Sequence, residues 1–319
     1  MEKIFDSIIV GSGPAAYTAA LFLKNKKICL FEGGDDLEIG PGGQLMTTTN
    51  VDNYPGFPIG ITGPKLMDRI KNQATMNNIP IIGETIISVV PWNTMLFKLK
   101  TQNREILSKT VIIATGASAK KLEVSGSKQY WNRGISACAV CDGFFYINKI
   151  CAVIGGGDTA LEESIYLSNI CKQVILIHRR TEFRARMDKI EKAKHIQNIK
   201  FMTPFILQEC KGNGNSLTSI IINNVNTNEN IELNVDGLFF AIGHTPNTQL
   251  LQNETSTTME LIRPNGYIKC NSRCECTIPG LFACGDVQDY EYRQAVTAAA
   301  SGYTASQTCL EYLETFNKN

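Results

Sequence analysis

Cys138-Ala139-Val140-Cys141 places two thiols two residues apart. That spacing closes a small ring without much backbone strain, so the pair can cycle between dithiol and disulfide. Of the 11 cysteines in the chain, this is the one close pair with dithiol redox spacing. Cys274-Glu275-Cys276 is closer still, but metal and redox pairs normally have two intervening residues. The remaining thiols are odd in number and scattered, unlike a secreted disulfide scaffold. They are expected to be free and buried, in a reducing compartment. Asp142 follows the pair directly. An unperturbed aspartate is ionised at pH 7, so it can hand a proton to a departing thiolate only if burial raises its pKa; otherwise it is a turn or cap residue. His244 reads either as a proton relay or as a structural histidine, and His195 as a solvated residue of a lysine-rich helical stretch. No metal site is expected.

Two further segments carry phosphate-binding chemistry. Gly11-Ser12-Gly13-Pro14-Ala15-Ala16 follows the apolar run Ile8-Ile9-Val10 and opens the helical stretch Tyr17 to Leu23. Gly155-Gly156-Gly157-Asp158-Thr159-Ala160 follows Cys151-Ala152-Val153-Ile154 and opens the helical stretch Leu161 to Leu167. Each is a G-x-G-x-x-A turn within a β-α-β unit, whose glycines let the backbone approach a pyrophosphate at a helix N-terminus. Glu32, 19 residues after Gly13, ends the second strand of the first unit. A carboxylate there accepts from ribose hydroxyls, which favours FAD or NAD. His178-Arg179-Arg180 takes the same place in the second unit, and two guanidinium groups suit the 2′-phosphate of NADP.

These turns need strands and helices to hold them, and 319 residues suffice for two domains. The expected fold class is α/β, with two Rossmann-like nucleotide-binding domains, the second inserted into the first. The buried strand running from Thr110 to Ala117 and the strand from Leu238 to Gly243 mark the crossings. The first domain is then 1–117 with 245–319, and the inserted domain 118–244. Gly212 to Asn230 reads as a surface hairpin, and a helix from about Gln294 to Leu313 closes the chain. Composition is ordinary for a globular protein, with 43% apolar and 19% charged residues and a net charge of +1. Nothing global points to nucleic acid or an anionic membrane. No run of about 18 apolar residues predicts a membrane helix. The first residues resemble neither a signal nor a transit peptide, so a cytoplasmic protein is expected.

The motifs, taken together, are more specific than any one alone. Gly42-Gly43-Gln44-Leu45, Asn53-Tyr54-Pro55-Gly56-Phe57, Ala114-Thr115-Gly116-Ala117 and Cys138-Ala139-Val140-Cys141-Asp142-Gly143 accompany the two glycine turns. So do Phe183-Arg184-Ala185, Ala241-Ile242-Gly243-His244-Thr245-Pro246-Asn247, Gly285-Asp286-Val287-Gln288 and Tyr292-Arg293-Gln294-Ala295. In order and spacing this set resembles the low-molecular-weight thioredoxin reductases over essentially the whole chain. The loop from Asp35 to Pro41 is similar to that of fungal and other eukaryotic short-type members, while Arg179-Arg180 looks more like the bacterial form.

The resemblance implies a flow of electrons from NADPH through FAD and Cys138/Cys141 to oxidised thioredoxin, in a homodimer with tight, non-covalent FAD. It implies that Gly11, Ser12, Gly13, Pro14 and Ala15 hold the FAD pyrophosphate and Glu32 its ribose. Gln44, Asn53 and Asp286 face the flavin side or ribityl chain, Arg293, Gln294 and Ala295 the ring system, and the Ile86 backbone the adenine. Gly155, Gly157, Asp158 and Thr159 line the NADPH phosphates, and Arg179, Arg180 and Arg184 take the 2′-phosphate. Cys141 is implied to face the flavin, Cys138 to attack the protein substrate, and Asp142 to donate the proton. It also implies rotation about hinges near Ala117-Ser118 and Gly243-His244. The alternative is a related NADPH-flavin reductase of another disulfide substrate. An alkyl hydroperoxide reductase flavoprotein carries an extra thioredoxin-like region, and a ferredoxin-NADP reductase lacks Cys-x-x-Cys. A glutathione-reductase type would carry its cysteine pair in the first segment. A flavin-binding scaffold or sensor without turnover is the reading from another class.

Overall fold

The structure is a computed structural model and describes residues 4–34, 40–48, 50–93, 95–251 and 260–316. Residues 35–39 of the loop before Gly42 lie outside the described residues. The chain divides into two compact units, Met1–Ser118 with Thr245–Asn319, and Ala119–His244.

The first unit starts with β1 (Phe5–Val10), α1 (Pro14–Phe22) and β2 (Ile28–Phe31). Pro14 at the helix start explains why α1 begins earlier than its apolar periodicity suggests: proline lacks the N–H that the first turn leaves unpaired and has its φ preset. Then follow α2 (Gly63–Met76), β3 (Ile81–Ile82), β4 (Ser88–Pro91), β5 (Phe97–Lys100) and β6 (Glu105–Ile113). The sheet order is β3-β2-β1-β6-β5-β4, parallel through β3, β2, β1 and β6 and antiparallel beyond. Ile8, Ile9, Leu30, Val111, Ile112 and Ile113 are fully buried. Such near-continuous apolar strands are what a parallel sheet covered on both faces requires.

The chain leaves through β7 (Ala117–Ala119). The second unit contains β8 (Ile135–Ser136), α3 (Ala139–Asp142), β9 (Ile150–Ile154), α4 (Asp158–Ser168), β10 (Gln173–Ile177), α5 (Met187–Lys194) and β11 (Ile199–Met202). β12 (Phe205–Gly212), β13 (Leu217–Asn224) and β14 (Asn230–Asn234) then form a three-stranded antiparallel sheet. The expected hairpin is thus the tip of a larger meander, whose alternating Leu207, Ile220 and Ile222 are buried. β15 (Gly237–Phe240) completes a parallel sheet of order β11-β10-β9-β15-β8. The chain returns through β16 (His244–Pro246), which pairs with β7. Back in the first unit, β17 (Leu281–Ala283) adds to β6, and α6 (Ala295–Phe316) packs on α1.

The two units repeat one local design. Gly11 ends β1 at φ 135°, where a Cβ would lie 2.1 Å from the carbonyl oxygen of Ala114. Gly155 ends β9, where a Cβ would lie 2.4 Å from the carbonyl oxygen of Ala241. Each turn therefore lies against the residue that follows the neighbouring strand, and only glycine fits. Gly11→Ala and Gly155→Ala are each expected to cost several kcal/mol of stability, because backbone cannot yield as a side chain does. Denaturant unfolding with an unchanged midpoint would contradict this.

Candidate active site

Cys138 and Cys141 are joined as a disulfide, with Cα atoms 5.3 Å apart. Cys138 is the N-cap of the short helix α3, and its Sγ accepts from the Cys141 amide at 3.3 Å. A donor aimed at that sulfur favours a thiolate there. The Ser136 hydroxyl donates to Asp142 Oδ2 at 2.5 Å and accepts from the Cys138 amide at 3.1 Å. Burial pushes the Asp142 carboxyl above its ordinary value, and the Ser136 bond works against that rise. Asp142 thus meets the burial condition for proton storage. Val140, Phe145 and Ile147 are exposed beside the pair, and Phe144 lies against Phe145 at 3.9 Å between ring centres. His244 is half-buried at the start of β16, and His195 is exposed, with Nδ1 2.7 Å from the Glu191 carbonyl.

In the same unit Gly157 is the N-cap of α4, and a side chain there would meet nothing within 4 Å. Asp158 Oδ1 accepts from the Arg186 amide at 2.8 Å, and Lys189 approaches Oδ2 at 3.2 Å. The Arg184 amide donates to the Gly156 carbonyl at 2.8 Å, so the segment after β10 folds back onto the glycine turn. The His178 ring is buried against Gly156 and stacks on Phe183 at 5.0 Å. Burial is the main cause that lowers its pKa, and the charges of Arg184, Arg179 and Arg180 add to it. Three exposed arginines thus lie near enough to act on His178, whose ring packs on the turn.

In the other unit Gly13 is the N-cap of α1, again with nothing within 4 Å of a Cβ. The Ser12 hydroxyl accepts from the Gly42 amide at 2.9 Å, and Gln44 Nε2 donates to the Ala117 carbonyl at 2.8 Å. Glu32 is held by the Tyr17 hydroxyl at 2.8 Å and by Lys71 at 2.8 Å. Asn53 Nδ2 donates to Gln294 Oε1 at 3.0 Å, which joins residues 241 apart in sequence. Gly285 comes so close to α1 that a Cβ would lie 2.9 Å from that of Ala15, and its amide donates to Ser301 Oγ at 2.8 Å. Asp286 thereby stands beside the first glycine turn. Ile86 is buried with Val10 and Phe31 at the ends of β1 and β2. Arg293 and Ala295 flank Gln294 at the start of α6, with Arg293 in left-handed backbone at φ 50°. Among the described residues, no group of three His, Cys, Asp or Glu side chains is placed to hold a metal.

Burial pushes the Asp286 carboxyl up to about 7, with Asp289 adding to the rise and Arg293 opposing it. A raised folded-state value means that the folded protein binds the proton more tightly than the unfolded chain. Stability of the flavin-free protein is therefore expected to fall as pH rises from about 4 to 7. Its melting temperature should be lower at pH 8 than at pH 5.5, and Asp286→Asn should narrow the gap. A gap left unchanged by the substitution would exclude Asp286 as its source.

Sequence reasoning did not find Ser136, Tyr17, Lys71, Ser301 or Gly302. Each acts through a contact distant in the chain or through backbone packing. A Cβ at Gly302 would lie 2.3 Å from the Ala15 carbonyl oxygen, for example.

The chain belongs to the pyridine nucleotide-disulphide oxidoreductase family, whose model matches residues 5–302. It is 43% identical over 314 residues to thioredoxin reductase 1 of Saccharomyces cerevisiae, covering 96% of this chain and 97% of that one. It is 44% identical over 322 residues to thioredoxin reductase of Escherichia coli O157:H7, covering 96% and 95%. The crystal structure of thioredoxin reductase from Streptococcus pyogenes matches with a TM-score of 0.89 at 33% identity, over 99% of this chain and 100% of that one. These full-length matches place the chain with the thioredoxin reductases, as flavin- and NADPH-using oxidoreductases.

Proposed function

We propose that the protein reduces oxidised thioredoxin with NADPH, that its flavin is FAD held tightly but non-covalently, and that it works as a cytoplasmic homodimer. The observation that carries this reading is the Cys138–Cys141 disulfide, in the same unit as a glycine turn whose neighbour His178 feels the charges of Arg179, Arg180 and Arg184. We assign 1–117 with 245–319 to FAD and 118–244 to NADPH. Gly11, Ser12, Gly13, Pro14 and Ala15 would hold the FAD pyrophosphate, and Glu32, already shaped by Tyr17 and Lys71, the ribose. Gln44, Asn53, Ile86, Asp286, Arg293, Gln294 and Ala295 would complete that site. Gly155, Gly157, Asp158 and Thr159 would line the NADPH phosphates. When bound, the flavin supplies a two-electron link between nicotinamide and disulfide chemistry.

This chain's own residues then perform the exchange. The Cys138 thiolate attacks one sulfur of the substrate disulfide, and the other sulfur leaves as a thiolate. Asp142 gives that thiolate its proton. The Cys141 thiolate attacks Cys138, which restores the enzyme disulfide and releases the second substrate sulfur. Val140, Phe145 and Ile147 offer an exposed apolar surface around the pair for a protein substrate. NADPH oxidation with oxidised thioredoxin and with small disulfides, run in parallel, tests the reading. Turnover of small disulfides alone would move the activity to another substrate class.

Asp142→Asn is expected to lower thioredoxin turnover about a hundredfold, the ordinary range for loss of a general acid. Ser136→Ala removes the bond that lowers the Asp142 pKa. The high-pH limb of kcat/KM should therefore move to higher pH. A shift to lower pH, or an unchanged limb, would take Asp142 out of that role.

A further inference from the structure

Nine cysteines lie outside the active pair, and two of them meet sulfur to sulfur. Cys151 is the second residue of β9, and Cys171 follows α4 by three residues. Their Sγ atoms are 3.6 Å apart and share a hydrogen bond. Several backbone contacts fix this meeting. The Cys171 amide donates to the Leu167 carbonyl at 2.8 Å, and the Lys172 amide to the Lys149 carbonyl at 2.8 Å. Asn198 Nδ2 donates to the carbonyls of Ser168 at 2.8 Å and Cys171 at 3.2 Å. Both ends of the contact are thus tied to the strand entry of the parallel sheet. By contrast, the thiols of Cys270, Cys274 and Cys309 have oxygen partners: Gln288 and Ala283, Ser301, and Thr110.

The two thiols differ. Cys151 is fully buried, while Cys171 retains 5% of its surface. The hydrogen bond to Cys171, together with burial, pushes the Cys151 thiol far up. The contact with Cys151 holds the Cys171 thiol below its ordinary value, against burial and the charge of Asp236. Cys171, the one of the two that keeps surface, is the sulfur an oxidant meets first, and Cys151 lies behind it at 3.6 Å. Exposed Asn148, Lys149 and Lys172 lie beside Cys171 in the chain or through backbone hydrogen bonds, Asn148 N–H to the Ile170 carbonyl and Lys172 N–H to the Lys149 carbonyl, and the little surface left on Cys171 suits a small oxidant.

We propose that Cys151 and Cys171 form a second oxidisable dithiol, a site that reduces a small hydroperoxide and becomes an intramolecular disulfide. The Cys171 thiolate attacks the O–O bond. One oxygen stays on Cys171 as a sulfenic acid, and the other leaves and takes a proton, as water when the oxidant is hydrogen peroxide. The Cys151 sulfur then attacks the sulfenic sulfur, its proton goes to the departing hydroxyl, and water leaves as the S–S bond forms. Two thiols are oxidised and one peroxide is reduced. The bond ties the end of α4 to the start of β9. The proposal holds whether or not the Cys138–Cys141 couple serves thioredoxin.

The sequence makes the test direct. Trypsin cuts after Arg133, Lys149 and Lys172, so peptide 134–149 carries Cys138 and Cys141, and peptide 150–172 carries Cys151 and Cys171. The thiol-reduced holoenzyme is exposed to a small molar excess of hydrogen peroxide, denatured, alkylated with iodoacetamide, digested and weighed. Peptide 150–172 is expected to change from two labels to none in most chains, with loss of two hydrogens. In Cys151→Ser, Cys171 should stop at the sulfenic acid and be captured by dimedone. If peptide 150–172 keeps both labels under conditions that strip them from peptide 134–149, the proposal is overturned. Capture of dimedone at Cys151 in Cys171→Ser, with none at Cys171 in Cys151→Ser, overturns the order of attack. Should either variant fail to fold, the label count on the unsubstituted protein decides.

Discussion

Cys138→Ser and Cys141→Ser are each expected to lower thioredoxin turnover by more than about a thousandfold, because exchange needs both an attacking and a resolving sulfur. The two variants should still differ. With Cys141 removed, Cys138 can form a mixed disulfide that nothing resolves. Cys141→Ser is therefore expected to capture a thioredoxin variant bearing a single cysteine as a covalent complex, visible on a non-reducing gel and released by dithiothreitol. Cys138→Ser should capture far less. The asymmetry rests on one contact: Cys138 Sγ accepts from the Cys141 amide, which favours negative charge on Cys138. Bleaching of the yellow holoenzyme by NADPH should survive in both variants, since it precedes exchange. If Cys138→Ser is the variant that captures, the roles are reversed. Full turnover by either would remove the pair from the mechanism.

The glycine turns and the cysteine pair were legible because their chemistry is local. Gly11, Gly13, Gly155 and Gly157 lie next to the strand and helix they connect, so a short window of sequence contains both cause and consequence. Helix starts were less legible. α1 begins at Pro14 and α4 at Asp158, each three residues before its apolar pattern becomes readable, since the first turns are built of small or polar residues such as Ala15, Ala16, Thr159 and Ala160, which carry little apolar signal even where they are buried. The meander of β12, β13 and β14 was seen only at its tip, where Gly212, Gly214 and the asparagines mark turns. Contacts that shape the sites across long separations left no local signal. Lys71 on Glu32, Gln294 on Asn53 and Ser301 on Gly285 have no spacing rule that would pair them. The Cys151–Cys171 contact belongs to the same class: 20 residues apart, the two meet only because a strand, a helix and the return to the next strand close one β-α-β turn.

The preference for NADPH over NADH is expected to be at least about a hundredfold in kcat/KM. Arg179, Arg180 and Arg184 are all exposed around the second glycine turn, and each reaches His178 electrostatically. A charge-assisted contact to phosphate contributes roughly 1.5–3 kcal/mol. Exposure to solvent places these near the lower end, and two of them still amount to about 3 kcal/mol, or a factor on the order of a hundred. Arg179→Ala with Arg180→Ala should therefore raise KM for NADPH by about that factor and leave NADH little changed, because NADH carries a 2′-hydroxyl in place of the phosphate. The NADPH preference should also weaken as ionic strength rises, since surface charges are screened within about 8 Å at 0.15 M salt. The buried His178, packed on Gly156 and Phe183, shapes the turn by contact, so a substitution there should disturb both nucleotides alike. Equal use of NADH and NADPH by the unsubstituted protein would show that the arginines around this turn do not read the 2′-phosphate.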